Sequence, residues 1–205
     1  MTLFGLELEL FFKKDGNIGP PPASADIPVD GFAGLVELRS VVSGDIYECY
    51  GHLMAKKRKI EDIYGCELLL SPAHKFSAAE RSLIRKNKFA PAKNRDVDIR
   101  NIYGKGLRQL PTGWAQASVQ VNVSKRLSSS YTTKDGSTVP ERFGLLDTLA
   151  VVSALDKEFS KEIKDAKRAA GWYAIKEFVR LEYRSLPNSA FDIYFPSRVL
   201  KALHT

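Results

Sequence analysis

The chain has 205 residues, of which 44% are hydrophobic and 27% are charged, so it has enough apolar content for a folded domain and disorder is not the default interpretation. The chain has two cysteines and three scattered histidines, which argues against a disulfide framework and a structural zinc site. No apolar run approaches the ~20 residues that cross a bilayer, which argues against a membrane span. These features favour a cytoplasmic protein. The formal net charge of +7 permits an anionic partner such as a nucleic acid or a nucleotide.

The first two predicted strands alternate strictly between apolar and polar residues. Residues 4–10 place leucines on one face, and residues 35–40 repeat the pattern after a glycine- and proline-rich stretch, 13–22, which predicts an exposed loop. The Asp30-Gly31 pair before the second strand is typical of a turn, although Asp30 could also act as a metal ligand or a base. The polar faces of these strands carry four charged side chains, namely Glu7, Glu9, Glu37 and Arg39.

Helical periodicity follows the second strand. Ser43 is a candidate N-cap for a helix that ends near Gly65, and the apolar run 66–70 is a candidate strand. Ser77 and Glu80 have the spacing of a capping box, which predicts the start of a short basic helix. The pattern therefore predicts two helices separated by a short strand.

A basic stretch extends from Arg81 to Arg108 and is poor in acidic residues. Its charge is typical of a solvated surface, and it would also suit contacts with nucleic-acid phosphates. Residues 87–112, which overlap most of it, show little periodicity, and we expect them to form a loop or a lid.

Two more predicted strands lie in the second half of the chain. Residues 117–124 alternate as strictly as the first strand but present neutral amides, Gln120 and Asn122, on the polar face. Residues 178–185 form the last predicted strand, and its polar face is again charged. The charged side chains of that strand are Arg180, Glu182 and Arg184.

A turn-rich segment, 128–140, separates these two strands and is followed by predicted helices over 143–154 and 160–170. The order of elements predicts an α+β fold, with an antiparallel or mixed sheet that has a charged face and helices packed on its other face. No linker divides the sequence, so residues 1–205 are interpreted as a single domain.

Carboxylates that share a sheet face repel one another and need a counter-charge, which Mg²⁺ supplies with its preference for hard oxygen ligands. The candidate metal ligands are Glu7, Glu9, Glu37 and Glu182. The planar guanidinium groups of Arg39, Arg180 and Arg184 are suited to a phosphate or a substrate carboxylate, while Gln120 and Asn122 can supply neutral contacts. A purely structural ladder of Glu–Arg pairs, contributing roughly 0.2–1 kcal/mol per pair, is the alternative.

Three segments of the chain resemble the motifs of a known enzyme family. They are 5–9 (Gly-Leu-Glu-Leu-Glu), 30–40 (Asp-Gly, then Glu-Leu-Arg-Ser) and 180–188 (Arg-Leu-Glu-Tyr-Arg-Ser-Leu-Pro-Asn). In this order and spacing they resemble the amidoligases, which are carboxylate–amine ligases related to glutamine synthetase and glutamate–cysteine ligase. The last segment is most similar to the versions found in bacteriophages. The resemblance implies a glutamine synthetase-like catalytic fold and, for a phage protein, the host cytoplasm.

The resemblance also implies an activity and residue roles. Such ligases use ATP and Mg²⁺ to phosphorylate a carboxylate, and an amine then attacks the acyl phosphate to form an amide. It implies Mg²⁺ binding by the four glutamates above, binding of phosphate or substrate carboxylate by Arg39 and Arg184, and nucleotide binding by Gln120, Asn122 and Arg180. Asp30 is the candidate general base. Many relatives carry His-x-His where this chain has Gln120-Val121-Asn122.

Two other functions remain open at the level of sequence. One is a catalytically inactive relative that binds nucleic acid or a protein through the basic stretch 81–108. The other is a structural protein of a virion or of a host interaction. The ligase interpretation predicts small-molecule or peptide carboxylate and amine substrates and no membrane partner.

Overall fold

The computed structural model describes residues 2–22, 27–29, 34–86, 114–125, 130–132, 138–140, 145–176 and 180–204. Its longest strand is β1 (Thr2–Lys14). The other strands are β2 (Asn17–Ile18), β3 (Leu35–Arg39), β4 (Glu67–Leu69), β5 (Ala73–Lys75), β6 (Trp114–Gln116), β7 (Val119–Lys125), β8 (Ser130–Thr132), β9 (Thr138–Pro140), β10 (Tyr173–Lys176) and β11 (Arg180–Tyr183). The helices are α1 (Ile46–Tyr64), α2 (Ala78–Lys86), α3 (Leu145–Glu158), α4 (Ser160–Asp165) and α5 (Phe195–Leu203).

One antiparallel sheet is built around β1. Its order runs β10, β11, β7 and β1, and β1 also pairs with β3, β4 and β2. The β7 strand pairs with the first half of β1, whereas β3 and β4 pair with its second half. Two further antiparallel pairs, β5 with β6 and β8 with β9, lie outside this sheet. The alternating side chains of β1 therefore lie at the centre of the main sheet.

The apolar face of the sheet forms the main core. Leu6 and Leu8 of β1 are 1% exposed or less, as the alternation predicts. Side chains of α1, α3 and α5 pack on this face, among them Leu53, Leu155 and Val199. The fold is therefore α+β, with an antiparallel sheet and with α1, α3 and α5 packed on one of its faces, which confirms the predicted class. In the described part of the chain, no helix has the length and apolarity needed to span a bilayer.

A second, smaller core closes one end of the opposite face. Phe11 occupies a position of β1 that continues the row of Glu7 and Glu9, yet it is completely buried. It packs with a small set of apolar residues that includes Ile18 and Phe76. The face opposite the main core therefore changes along β1 from charged to apolar.

The capping box predicted at Ser77 and Glu80 is confirmed. The N–H of Ser77 donates to Oε2 of Glu80 at 2.7 Å, and the N–H of Glu80 donates to Oγ of Ser77 at 3.2 Å. The carboxylate of Glu80 also accepts the N–H of Ile18 at 2.9 Å, and Nε2 of His74 lies 3.2 Å from both of its oxygens. One buried carboxylate thus links α2 to β2 and β5.

The prediction that residues 13–22 form an exposed loop is wrong for the start of that segment, which belongs to β1 and β2. Asp15 and Gly16 adopt positive φ angles of 51° and 79°. The chain then returns as β2, with Asn17 opposite Lys14. An Asp-Gly pair favours such two-residue hairpin turns because both positions require positive φ.

The start of α1 also differs from the prediction, because Asp45 rather than Ser43 is the N-cap. The carboxylate of Asp45 accepts the N–H of Tyr47 at 2.8 Å. Oγ of Ser43 instead accepts the N–H of Asp45 at 3.0 Å and donates to Glu48 at 2.5 Å. The predicted end of the helix is confirmed, since Gly65 takes a left-handed conformation with φ of 56°.

Several short elements are absent from the sequence-based prediction. They are β5, β6, β10 and α5. Within the predicted loop 128–140, β8 and β9 form an antiparallel pair, and α4 ends at Asp165 instead of near residue 170. These elements are too short, or their partners too distant in sequence, to produce a clear periodic pattern. The loop predicted over 87–112 lies outside the described residues.

Candidate functional site

The strand registers bring most of the predicted site residues onto one face of the sheet. Glu7 of β1 lies between Gln120 of β7 and Arg39 of β3, and Glu9 lies opposite Glu37. We call this face the polar floor, and define it by the residues Glu7, Glu9, Glu37, Arg39, Ser118, Gln120, Asn122, Glu182 and Arg184.

Glu7 is the electrostatic centre of the polar floor. Burial raises the pKa of its carboxyl, and the nearby carboxylates of Glu37 and Glu182 raise this pKa further. The guanidinium groups of Arg39 and Arg184 act in the opposite direction without cancelling the rise. Three strands therefore contribute carboxylates that repel one another, and an added cation would relieve that repulsion.

Two of these carboxylates are paired with arginines close to them in sequence. Arg39 Nη2 lies 2.7 Å from Glu37 Oε1, and Arg184 likewise donates to Glu182. Both glutamate side chains are nearly buried, at 9% and 3% exposure, whereas those of Arg39 and Arg184 are 66% and 20% exposed. The cations therefore lie towards the rim of the polar floor and the carboxylates lie deeper.

Glu9 is held by neutral donors of β7 and the residue before it. Its Oε2 accepts the N–H and the Oγ–H of Ser118, both at 2.7 Å, and Gln120 Nε2 lies 3.4 Å from its Oε1. These contacts fix the carboxylate beside the small apolar core that contains Phe11. Glu9 thus marks the boundary between the charged and the apolar parts of the face.

The two predicted amides are buried and incompletely hydrogen bonded. Gln120 is 1% exposed and Asn122, which lies opposite Glu182 in β11, is 4% exposed. Each amide nitrogen is directed to a carboxylate, with Asn122 Nδ2 at 3.5 Å from Oε1 of Glu7. Within the described part of the chain, Gln120 Oε1 and Asn122 Oδ1 have no hydrogen-bond partner. Buried acceptors of this kind are costly unless a ligand, ion or water satisfies them.

Arg168 is a cation that the sequence-based prediction misses. Its Nε and Nη2 donate to the backbone carbonyls of Ser185 and Arg184 at 3.0 and 2.9 Å, and its guanidinium lies 5.3 Å from the ring centre of Trp172. Burial lowers its pKa to about 10, against the attraction of the nearby Glu9 carboxylate. Arg168 follows α4 immediately after Lys167, which has a φ of 54°, and no periodic pattern identifies such a position.

The remaining predicted site residues are placed less centrally. Arg180 is half-buried at the start of β11, opposite Ser124, two positions from Glu182 on the same face. Its Nε is buried and has no hydrogen-bond partner among the described residues. Asp30 lies outside the described residues, as does the basic stretch 81–108 beyond Lys86.

The donor set of the polar floor is suited to a hard cation. It contains carboxylate oxygens that repel one another and two buried amide oxygens without a partner among the described residues, and oxygen atoms are the ligands that Mg²⁺ takes in proteins. Across the described residues, no group of three or more His, Cys, Asp and Glu side chains has an arrangement that could hold a metal ion. The carboxylates are directed instead to Ser118, Asn122, Arg39 and Arg184.

The chain was compared with protein-family models and with curated proteins. Neither comparison finds a match.

Proposed function

We propose that the protein is an ATP- and Mg²⁺-dependent ligase that joins a carboxylate to an amine. The observation that carries the proposal is the environment of Glu7, whose pKa is raised by burial and by the carboxylates of two other strands. A solvent-facing ladder of Glu–Arg pairs would satisfy each charge locally. The carboxylates of the polar floor are instead buried or partly buried and repel one another. They lie beside buried amide oxygens with no partner among the described residues, which is better explained by a site that is completed by a cation.

The four glutamates would supply the oxygen ligands for Mg²⁺, either directly or through water. Bound Mg²⁺ would neutralise negative charge on the phosphates of ATP during phosphoryl transfer. Glu37 and Glu182 are nearly buried, so they would hold ligands in fixed positions, while Ser118 orients Glu9. A bound cation would stabilise the ionised form of Glu7 most, because the pKa of this carboxyl is raised in the absence of a cation.

The arginines would hold the anionic groups of the substrates. Arg39 is largely exposed at the rim and can exchange Glu37 for a phosphate oxygen, whereas Arg184 is less exposed and lies beside the buried Glu182. Transfer of the γ-phosphoryl group breaks its bond to ADP and forms an acyl phosphate. The amine then displaces phosphate and loses a proton to a base, for which Asp30 is the candidate.

The fold is consistent with this proposal at a coarse level. An antiparallel sheet with one charged face and helices on the other is the arrangement that the resemblance to glutamine synthetase relatives implies. By the resemblance, Gln120 and Asn122 would correspond to the histidines of many of those relatives. Neutral amides bind metal ions less strongly than imidazole does, so we assign them to the nucleotide and to metal-bound water.

Release of ADP tests the proposal directly. The purified chain would be incubated with Mg²⁺, ATP and mixtures of free amino acids and polyamines, which supply both the carboxylate and the amine. We expect ADP release that requires Mg²⁺, and its abolition in Glu9→Gln and in Glu182→Gln. Glu67→Gln is the matched control, because Glu67 pairs with Lys13 on the same sheet and is 56% exposed.

Retained turnover in both site variants would contradict the assignment of these glutamates to Mg²⁺. The alternative function, nucleic-acid binding through the stretch 81–108, predicts a different result. In that case the chain would bind single- or double-stranded oligonucleotides with an affinity that falls steeply as the salt concentration rises.

A further inference from the structure

Two side chains of α1 cover the end of the β3 edge that faces away from β1. Nζ of Lys56 donates to the backbone carbonyl of Arg39 at 2.8 Å. The N–H of Val41, two residues further on, donates to Nδ1 of His52 at 3.2 Å. Charged side chains commonly protect a strand edge that has no partner strand. These two contacts place α1 beside Arg39, at the rim of the polar floor.

The four consecutive basic residues of α1 differ in their environment. Lys57 is paired with Glu61, with 2.6 Å between Nζ and Oε1, and its side chain is only 16% exposed. Lys56, Arg58 and Lys59 are exposed, and none of them forms an ion pair with another described residue. The described part of the fold therefore neutralises one cation of this run and leaves the other three accessible to an anion.

Three nitrogen-bearing side chains share one face of α1. His52, Lys56 and Lys59 follow the spacing i, i+4 and i+7, which places them on the same side of a helix. Because Nδ1 of His52 accepts a backbone N–H, the proton of the neutral imidazole lies on Nε2, which is then a donor. We call these three residues the basic row. At a rise of about 1.5 Å per residue, the row is about 10 Å long.

Arg39 connects the basic row to the polar floor. Its backbone carbonyl holds Lys56, while its side chain pairs with Glu37 on the floor and is 66% exposed. A nucleotide or another small ligand usually binds in a concave site. Cations in a line on an exposed helix face are better suited to a chain of phosphates that runs across the surface.

We propose that the basic row and Arg39 bind the phosphate backbone of a nucleic acid. Lys56 and Lys59 would neutralise phosphates as point charges, and the planar guanidinium of Arg39 would hold a phosphate at the rim of the polar floor. Contacts with phosphates carry no direct sequence information, so we expect little sequence preference. The inference goes beyond the proposed function and does not depend on it.

Fluorescence anisotropy with a labelled single-stranded DNA oligonucleotide, measured over a range of salt concentrations, tests the inference. Lys56→Ala/Lys59→Ala should bind the oligonucleotide about tenfold more weakly than the wild type does. The slope of log affinity against log salt concentration should become less steep by about 1.4, since each phosphate contact of a single strand contributes about 0.7.

Lys59→Ala alone should lower the slope by about half as much. This variant guards against a folding defect, because Lys59 is exposed and makes no hydrogen bond or ion pair within the described part of the chain. Lys157→Ala/Lys161→Ala is the matched control, since it removes the same charge from exposed positions of α3 and α4. This control should bind the oligonucleotide as the wild type does.

Four results would overturn the inference. The first two are no binding of the oligonucleotide by the wild type and an affinity that does not change with salt. The third is an equal loss in the control, which would show that only the net charge matters. The fourth is unchanged binding in both α1 variants, which would place the contacts elsewhere, for example in the stretch 81–108.

Binding of ATP with Mg²⁺ separates the two sources of phosphate. We expect the double α1 variant to bind ATP as the wild type does. If this variant loses affinity for ATP and keeps its affinity for the oligonucleotide, the basic row serves the nucleotide and the inference is overturned. Absence of ADP release in the wild type would contradict the proposed function and would leave the prediction for the oligonucleotide as it stands.

Discussion

Two carboxylates near opposite ends of the same side of the sheet have opposite electrostatic environments. Glu80 is 6% exposed, and hydrogen bonds from Ile18, Ser77 and His74 outweigh the effect of burial and lower its pKa to about 2. Glu7 is partly buried too, but burial and the neighbouring carboxylates raise its pKa. The fold satisfies Glu80 completely, whereas it leaves Glu7 among like charges.

This difference separates a structural carboxylate, Glu80, from a candidate cation ligand, Glu7. Glu80 accepts several donors from three elements and stabilises the packing of α2 on the hairpin of β1 and β2. Glu7 makes a long contact, at 3.5 Å, with Asn122. A carboxylate that the fold itself leaves among like charges is a better candidate for binding a cation than one that the fold already neutralises.

The largest expected effect is on stability, from substitution of the structural carboxylate Glu80. Glu80→Gln removes the charge from hydrogen bonds with two backbone N–H groups and His74, and turns an amide NH₂ towards donors. We expect the free energy of unfolding to fall by about 3 kcal/mol, measured by urea denaturation at pH 7. A loss close to zero would show that Glu80 does not hold α2 in place.

A fall in pH should remove the stabilisation by the same carboxylate without a mutation. The pKa of Glu80 is about 2 in the fold against 4.5 for a free carboxyl, so the unfolded chain takes up its proton first. The stabilisation by Glu80 is complete above pH 4.5 and is lost as the pH falls from there towards 2. Urea denaturation across this range should show stability that falls less steeply in Glu80→Gln than in the wild type.

Removal of one arginine from the polar floor should have an intermediate effect. Arg184→Ala leaves the carboxylate of Glu182 buried without this arginine beside it. We expect a loss of about 2 kcal/mol at pH 7, because a nearly buried carboxylate loses the arginine that is paired with it. Arg39→Ala is the comparison, and it should be milder because Arg39 is 66% exposed. Equal losses would argue against the deeper placement of Glu182.

The smallest expected effect has the opposite sign. The raised pKa of Glu7 means that its ionised form destabilises the fold at neutral pH. Glu7→Gln should therefore raise the free energy of unfolding by about 0.5–1 kcal/mol in the absence of ligands. Thermal melting with Glu67→Gln as the exposed control would check this sign. A clear loss of stability in Glu7→Gln would show that its charge is structural.

The faces of the sheet could be predicted from the sequence, because side chains alternate with period two and the leucines of β1 must be buried. The carboxylates of β1, β3 and β11 are predicted to lie on the opposite face for the same reason. The register could not be predicted, since pairing of Glu7 with Arg39 and Gln120 depends on contacts between distant segments. The hairpin signal at Asp15-Gly16 was present in the sequence but was obscured by the prolines that follow.

Arg168 shows a different limit of sequence-based prediction. Its role depends on two backbone carbonyls at the end of β11 and on the turn after α4, which no local pattern encodes. The amide oxygens of Gln120 and Asn122, which have no partner among the described residues, are a similar case, because burial of an amide is visible only after the strands are packed. Residue type therefore predicted which charged and amide groups lie on the polar floor, and tertiary contacts decided which of its described groups remain unsatisfied.

The most direct test of the central claim is the thermal melting of the wild type and of Glu7→Gln with Mg²⁺ and ATP, added separately and together. We predict that the wild type gains stability only when both are present, because nucleotide and cation bind as one unit on the polar floor. We predict no gain for Glu7→Gln, although it melts higher without ligands. An equal gain in both proteins, or none in the wild type, would contradict the account.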